Sequence, residues 1–450
     1  MNQSGNQVEA YLRVLLTELY SFIVEEAQKS PAQLVPNLYK QIAEHEAYDS
    51  LVISVVRDRS LAKFFPALRG GGGHEPDVGS LKDLQTIVIW SDASSEGMTP
   101  LTLCSSIISD VFRYLWSWTD QPSLNDALVR LPDSIDLARN LAEKRTVEIP
   151  AVVSIHNIDL MDNDTVEVGS AVLRKPLRYD RSRLHTIVSG QELSAVLRLQ
   201  TDFSAIHVRA TSRESDREEE QQKTQHLIET LGYPSMEKQT WKFQGVVDRA
   251  RLAIVLSSRP GEIFAPVQGW DSVVNPLSDI YHSQLSGARS FNAPYPIQSI
   301  DEAAKRRIAS LAPLIEGHPN ALRTGIRRLL LAVTERMYSE DGFVDAIIAW
   351  ENLFSGFPET SLRVCGAMAR LLSPVDIERK LEVYRELTSL YRKRNSVVHG
   401  SSTGSSTATA QDRDLAVDYT LKAFEAIYQR EDLLRIETSP ERGISVLLGP

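Results

Sequence analysis

Three polar residues near the end of a helix-like segment, Arg394, Asn395 and His399, have side chains suited to phosphate chemistry. Asn395 and His399 are four positions apart, so a helix places them on one face, and the long side chain of Arg394 reaches the same region. A guanidinium binds anions with two donors, whereas an imidazole exchanges a proton near neutral pH. Such a pairing suits a phosphate substrate, in which Arg394 would neutralise charge on a pentacoordinate phosphorus and His399 would move a proton to or from oxygen.

The same residues also have a purely structural explanation. An arginine followed five positions later by a histidine arises by chance, and a histidine in the last turn of a helix is favoured by the helix dipole and by unpaired carbonyl groups. Gly400 ends the segment, and Ser, Thr, Gly and Ala make up 401–410. That stretch is interpreted either as a flexible loop that closes over a ligand at the site or as a plain connection between helices.

The composition is that of an ordinary globular protein with several domains, since 42% of the 450 residues are hydrophobic and 24% are charged. No apolar run approaches the ~20 residues that span a bilayer, and the N-terminal segment lacks signal-peptide features, so we expect a cytoplasmic protein. The two cysteines, Cys104 and Cys365, are far apart, which argues against a disulfide framework and a cysteine metal site. No cofactor and no metal are expected.

The net charge of −10 is unevenly distributed along the sequence. Residues 301–430 carry 18 Lys and Arg against 17 Asp and Glu, so the acidic excess lies in the rest of the chain. An acidic chain has no general attraction for nucleic acid. Any binding of nucleic acid must therefore be local, and the charge balance leaves room for a local basic site in the C-terminal part.

The hydrophobic patterns predict a multidomain α+β protein. A helical period over 6–30 and a short buried strand at 86–90 favour a mostly helical, mixed domain over 1–146. Short β-branched segments separated by Asp, Asn, Gly and Pro predict an α+β domain with a largely antiparallel sheet over 147–260. A stretch rich in Pro and Gly then predicts a linker over 261–299.

Two further assignments complete this domain plan. Within the α+β domain, WKFQGVVD and ARLAIVLSS, in 241–258, are interpreted as a β or mixed unit. Six helical segments predict an all-α bundle over 300–435, followed by a C-terminal tail over 436–450. The fifth and longest helical segment, within 373–400, carries the three polar residues at its end.

The helical block contains three segments in a characteristic order, DAIIAWENLF (345–354), LRVCGAMARLLS (362–373) and LYRKRNSVVHG (390–400). In this order and spacing they resemble the HEPN family, in particular its Apea-like branch. The family motif is an Arg, four to six residues and a His, usually with Asn, Asp or His directly after the Arg. Here the motif consists of Arg394, Asn395 and, after three more residues, His399, and the resemblance covers about a quarter of the chain.

The resemblance implies a bundle of at least four helices that pairs with a second copy, so that two motifs meet at a dimer interface. It also implies a metal-independent endoribonuclease, in which the 2′-OH of RNA attacks the adjacent phosphorus and leaves a 2′,3′-cyclic phosphate. His399 would be the acid or base, Arg394 would hold the scissile phosphate, and Asn395 would orient His399 or the substrate. With one motif per chain, a composite site requires a homodimer.

The resemblance also involves residues outside the motif. Glu351 aligns with the acidic residue of the family's third-helix motif, where it either orients Arg394 by an ion pair or forms a structural salt bridge. Trp350 stands in place of the family's usual Leu, and Ser401 in place of the Tyr of toxins controlled by a nucleotidyltransferase antitoxin. Four basic residues either line a path for RNA or merely face solvent. They are Arg327, Arg328, Arg392 and Lys393.

The leading functional hypothesis is a HEPN-type endoribonuclease that acts as an anti-phage abortive-infection effector or toxin. The acidic N-terminal region would be its sensing or regulatory part, which covers the basic site or holds the dimer apart until a phage-derived or nucleotide trigger binds. The alternative is a non-catalytic HEPN domain that binds RNA or serves as a dimerisation scaffold. A nucleotide-sensing regulator that uses the β domain has no supporting motif.

Other candidate sites have weaker patterns. RGGGGHEP, 69–76, lacks the Gly-Lys-Ser/Thr ending of a phosphate-binding loop, so a flexible loop is favoured. His156, His185 and His207 lie on predicted strands without the spacing of metal ligands. These histidines are therefore interpreted as surface or core residues.

Overall fold

The structure is a computed structural model of the chain. It describes residues 3–29, 34–65, 86–90, 95–161, 165–184, 187–188, 191–209, 222–223, 225–259, 261–274, 276–277, 283–285, 295–356, 358–399 and 408–449. The glycine-rich segment at 69–76 and most of the predicted loop after His399, at 401–407, lie outside the described residues.

Five helices and a short 3-10 turn build the N-terminal core. Their bounds are α1 Gln3–Lys29, α2 Leu34–Glu44, α3 Tyr48–Arg57, the 3-10 turn Leu61–Phe64, α4 Pro100–Trp116 and α5 Leu124–Ala142. In α1, Leu12, Leu15, Leu16 and Leu19 recur at the helical period and are buried. The helix predicted over 6–30 is confirmed.

A three-stranded antiparallel sheet belongs to the same core. Its central strand is β1 (Thr86–Trp90), which pairs with β2 (Ser95–Met98) on one side and β10 (Ala205–Arg209) on the other. Trp90 is fully buried, and its ring stacks on Phe203 with centroids 5.5 Å apart. The buried strand predicted at 86–90 is confirmed.

The central element of the fold is a six-stranded antiparallel sheet. Its strands are β3 Val147–His156, β5 Thr165–Val168, β6 Ala171–Arg174, β9 Ala195–Phe203, β11 Val267–Val273 and β12 Ser283–Leu285. Their order in the sheet is β12-β11-β3-β9-β6-β5. Two short pairs of strands lie outside this sheet. Strand β4 (Ile158–Asp159) pairs with β13 (Gln298–Ser299), and β7 (Ile187–Val188) pairs with β8 (Gln191–Glu192). The predicted antiparallel sheet is therefore present.

The linker prediction over 261–299 is wrong, because three strands lie in this segment. Strand β11 pairs along β3, and a Cβ added at Gly269 would lie 2.5 Å from Ser154 Oγ and 2.8 Å from His156 Nε2. Glycine is needed here for the close approach of two strands. The glycine that suggested a linker is a requirement of sheet packing.

The interpretation of 241–258 as a β or mixed unit is also wrong. After the short helix α6 (Arg178–Arg183), this segment belongs to helix α7 (Tyr233–Leu256). Phe243, Val247, Ala250 and Ile254 recur at intervals of three or four residues and are buried in the core beside the sheet. The β-branched residues of the segment predict a strand. The segment is helical instead because its buried residues form one apolar face of a helix, which packs on the apolar face of the sheet.

The C-terminal part is all helical. Its elements are α8 Glu302–Glu316, α9 Arg323–Leu330 with a following π turn Leu331–Glu335, α10 Ser339–Phe354, α11 Thr360–Leu372, α12 Ile377–His399, α13 Ala410–Tyr428, α14 Glu431–Leu434 and α15 Ser439–Leu448. The six predicted helices are present. The tail predicted over 436–450 is wrong, because Arg442 of α15 is fully buried and its Nη1 donates to the carbonyl of Leu353 at 2.9 Å.

The central sheet and the C-terminal helices share one hydrophobic core. It contains Ile155 of β3, Val247 of α7 and Trp350 of α10. On the opposite face of the sheet, Arg198 of β9 donates to Ser117 Oγ, next to the end of α4, at 3.1 Å. The sheet thus lies between two helical layers, and the boundary predicted near 300 does not separate two cores. None of the described helices has the length and apolar character needed to cross a membrane.

Candidate functional site

Helix α12 places Arg394 at the end of an apolar stripe. Val383, Leu387, Leu390 and Tyr391 recur at intervals of one to four residues, are buried, and lie on the side of α12 that packs against α10 and α11. Arg394 follows Tyr391 by three residues and occupies the next position of this stripe. Only 17% of its side chain is exposed. The helix therefore holds most of the guanidinium within the bundle.

A carboxylate from α10 holds Arg394 in place. Nη2 of Arg394 lies 3.4 Å from Oε2 of Glu351, and Nη1 donates to Oδ1 of Asn395 at 3.2 Å. The other carboxylate oxygen of Glu351 accepts a hydrogen bond from the Tyr391 hydroxyl at 2.5 Å. The structure thus contains the Glu351–Arg394 ion pair raised by the sequence and joins four side chains in one network.

Sequence reasoning missed Tyr391. Burial, followed by its hydrogen bond to Glu351, raises the pKa of Tyr391, so the phenol stays protonated and acts as a donor. The Arg394 guanidinium lies 6.0 Å from the centroid of its ring. The available signal was its position three residues before Arg394, on the same helical face.

One donor of Arg394 is not used by the network. Its Nε is buried and has no hydrogen-bond partner within the described ranges. A buried N–H without an acceptor is unfavourable, and phosphate oxygens are strong acceptors for a guanidinium. The network therefore fixes the guanidinium, and one buried N–H remains without an acceptor among the described residues.

His399 is the last residue of α12 and is exposed to solvent. Asn395, one turn earlier on the same face, is partly buried against Arg394. No hydrogen bond joins His399 to Arg394 among the described contacts. The three predicted residues thus lie in the last two turns of one helix, where Arg394 contacts Asn395 and is anchored in the bundle while His399 is open to solvent. Such an arrangement can hold an anion and exchange a proton at its edge.

The two basic residues that precede Arg394 differ in their surroundings. Arg392 is exposed and forms no ion pair with the residues that the structure describes. Lys393 instead donates to Oδ2 of Asp412 on α13 at 2.5 Å. The pKa of Asp412 is lowered overall. Burial alone would raise this pKa, but the hydrogen bonds from Lys393 and Thr409 have a larger effect in the opposite direction. The charge of Lys393 is therefore balanced within the protein, which argues against a free phosphate contact.

The two arginines on α9 differ in the same way. Arg327 is exposed. Arg328 forms an ion pair with Oδ1 of Asp345 at 2.6 Å, and the buried Asp345 also accepts from Nε of Arg336 at 2.5 Å. Removal of Arg328 would leave a buried carboxylate short of a partner. We therefore assign Arg328 a structural contact, and Arg327 keeps an accessible charge.

Trp350, the neighbour of Glu351, is fully buried. Its Nε1 donates to Oγ1 of Thr420 on α13 at 2.8 Å. The large indole is thus accommodated by core packing and by one hydrogen bond. This contact fixes the part of α10 that carries Glu351.

The remaining histidine candidates do not form a site among the described residues. His156 is fully buried in β3, and its Nε2 lies 3.3 Å from Ser154 Oγ. His185 lies outside the described residues, and the side chain of His207 is not described. Within the described part of the chain, no three His, Cys, Asp or Glu side chains are placed to bind a metal ion.

Comparisons with known proteins give no assignment. No protein-family model, no curated protein and no solved structure matches this chain. The functional interpretation therefore depends on the contacts of Arg394, on the exposure of His399 and on the sequence motif.

Proposed function

We propose that this chain is a metal-independent endoribonuclease of the HEPN type, acting in the cytoplasm as a homodimer. The observation that carries the proposal is the anchoring of Arg394 by Glu351, five residues before the exposed His399 at the end of α12. An anion-binding group and a proton-transfer group are the two functions that RNA cleavage by its own 2′-OH requires. The motif that these residues form supports the same reading.

In the proposed reaction the 2′-OH of RNA attacks the adjacent phosphorus while the bond from phosphorus to the 5′ oxygen breaks. The products are a 2′,3′-cyclic phosphate and a 5′-OH. Arg394 neutralises charge on the non-bridging oxygens in the transition state. His399 moves one proton, either from the 2′-OH or to the 5′ oxygen. The second proton transfer needs a second imidazole, which a second copy of the chain would supply.

The proposed biological role is that of an anti-phage abortive-infection effector or toxin with an N-terminal sensing region. The acidic excess outside 301–430 supports this role, because negative charge near the basic residues opposes RNA binding. A phage-derived molecule or a nucleotide would act by favouring a form of the protein that admits RNA.

Incubation of the purified protein with RNA in EDTA tests the activity. We expect cleavage by the wild type, with cyclic phosphate ends, and a rate at least ~100-fold lower for Arg394→Ala and for His399→Ala. Arg379→Ala, at an exposed position of α12, and His226→Ala, at another exposed histidine, are matched controls that should cleave like the wild type. Equal cleavage by all five proteins would refute the assigned site.

A non-catalytic HEPN scaffold is the second candidate, and the partial burial of Arg394 favours it. A guanidinium with 17% exposure that is paired with Glu351 also fits a purely structural ion pair. Sequencing of RNA ends from cells that express the wild type or His399→Ala separates the two candidates. New ends that depend on His399 support the enzyme. Identical ends in both cultures, together with an intact dimer or RNA complex, support the scaffold.

A further inference from the structure

A second concave site lies between α7 and the segment that runs from the end of α8 into α9. It encloses about 240 Å³. We call it the α7–α9 cleft. Its lining includes Lys242, Gly245 and Arg249 from α7, and His318, Arg323 and Ile326 from the other side.

The cleft concentrates positive charge in an acidic chain. Arg249 and Arg323 bring two guanidinium groups to it, and Asp248 is the carboxylate among its lining residues, whereas the whole chain has a net charge of −10. Lys242 adds little to this excess, because it forms an ion pair with Asp202. Asp248 is itself engaged, since it lies 3.8 Å from Nη1 of Arg251. A local excess of positive charge in a concave site attracts anions and strengthens their binding.

Arg249 carries a charge that the protein does not balance locally. Its side chain is partly buried, and it forms no ion pair or hydrogen bond with the residues that the structure describes. A guanidinium in this state presents a planar fork of donors suited to two oxygens of one phosphate. Arg249 is therefore the residue on which an anion would be centred.

His318 lines the cleft as a neutral ring. Burial lowers its pKa to about 4, so the imidazole is uncharged near pH 7. Its Nδ1 shares a hydrogen bond with the hydroxyl of Tyr428, and the backbone of Leu322 also interacts with the ring. His318 therefore adds no charge to the cleft and forms part of its wall.

The shape of the cleft depends on a glycine. Gly245 lies inside α7, where glycine weakens a helix, although a Cβ there would meet only Nη1 of Arg249, at an ordinary 3.6 Å. The glycine is therefore not required by packing, and it keeps the cleft open. Across the cleft, Ile326 is buried and offers an apolar wall. The enclosed volume is just below the ~300–1,000 Å³ of pockets for drug-sized ligands.

We infer that the α7–α9 cleft binds a phosphate monoester of about the size of a mononucleotide. Arg249 binds its phosphate, Arg323 adds positive charge to the cleft, and Ile326 and the neutral ring of His318 line its less polar part. A single RNA strand is a different ligand, because it needs successive phosphate contacts along a groove, whereas Arg249 and Arg323 line one cleft of limited volume. The inference does not depend on the nuclease proposal.

Titration of the full chain with AMP, GMP, CMP and UMP by isothermal titration calorimetry tests the inference, with adenosine as the phosphate-free probe. We expect at least one mononucleotide to bind and adenosine not to bind. Arg249→Gln should weaken binding about tenfold or more, because it removes a charged donor. Gly245→Leu should weaken it to a similar extent by filling the cleft, and leucine favours the helical conformation of α7.

Two controls isolate the cleft. Arg306→Gln removes an exposed arginine of α8 and should bind like the wild type. His399→Ala should also bind like the wild type, whatever its effect on RNA cleavage, so the two proposals can fail separately. The inference is overturned if no mononucleotide binds, if binding is unchanged in both Arg249→Gln and Gly245→Leu, or if only a single-stranded RNA oligonucleotide binds at Arg249.

Discussion

Oε2 of Glu351 lies 3.4 Å from Nη2 of Arg394, across the contact between α10 and α12. The two residues are 43 positions apart, so the packing of the bundle, and not the local helix, places the guanidinium. Tyr391 holds the other oxygen of the same carboxylate. The position of Arg394 therefore depends on two side chains that need not touch RNA.

Glu351→Gln removes the charge that holds Arg394 and keeps the size of the side chain. We expect the rate of RNA cleavage to fall about tenfold through kcat, because a misplaced guanidinium stabilises the transition state less well. The free energy of unfolding should change by about 1 kcal/mol or less. Single-turnover cleavage and urea unfolding measure the two quantities. Glu382→Gln, which breaks an exposed ion pair with Arg379 on α12, should leave cleavage unchanged.

Tyr391→Phe removes the hydroxyl that donates to Glu351. The carboxylate loses a hydrogen bond in a partly buried place, so the free energy of unfolding should fall by about 1–2 kcal/mol. Urea unfolding followed by circular dichroism measures the loss. Tyr384→Phe, at a partly buried position of the same helix, is the matched control. An equal loss in both variants would contradict a specific role for the Tyr391 hydroxyl.

Trp350 and Thr420 should be energetically coupled. Thr420→Val leaves the buried indole N–H without its acceptor and should cost about 1–3 kcal/mol. Trp350→Phe removes the donor and leaves a small cavity, at a cost of about 1–3 kcal/mol. A double-mutant cycle measured by denaturant unfolding should show that the combined variant loses less than the sum of the single losses. Strictly additive losses would mean that the hydrogen bond contributes nothing.

Acidic solution should destabilise the fold through His318. Burial lowers its pKa from 6.5 to about 4, so between these pH values the unfolded chain binds a proton that the folded chain does not. Its contribution to stability is complete above about pH 6.5 and is lost as the pH falls towards 4. Denaturant unfolding across this range should show a shallower decline for His318→Gln than for the wild type. His226→Gln, at an exposed histidine, should follow the wild type.

The contact between α15 and α10 depends on Gly443. A Cβ at this position would lie 2.7 Å from the backbone oxygen of Phe354, so Gly443→Ala must displace α15. We expect a loss of about 1–3 kcal/mol in the free energy of unfolding. Gly317→Ala is the matched control, because its Cβ would meet nothing within 4 Å. If the two variants were equally stable, α15 would not be packed as described.

Helical periodicity is enough to predict the six helices α8 to α13, because each has an apolar face. The same spacing predicts that Arg394, Asn395 and His399 share one end of α12. It does not reveal Tyr391, since a tyrosine in an apolar stripe resembles a core residue. The partners of Lys393 and Arg328 are likewise hidden, because Asp412 and Asp345 come from other elements.

The errors in the domain plan have one physical origin, which is contact between segments distant in sequence. Strand β11 is a strand because β3 supplies its hydrogen bonds, and its own residues do not predict that pairing. Arg442 lies in the segment assigned to a C-terminal tail, and a charged side chain is usually exposed. Its guanidinium instead donates to the backbone carbonyls of Leu353, Leu433 and Ile436, which makes burial of the charge possible.

The apolar interior that runs from the sheet through α7 into the helical bundle means that the bundle is not a detachable module. A cut near residue 300 would expose the apolar surfaces that Val247 and Ile254 cover. The isolated C-terminal fragment is therefore expected to be insoluble. A proteolytic cut near residue 300 is therefore expected to inactivate the proposed nuclease and not to activate it.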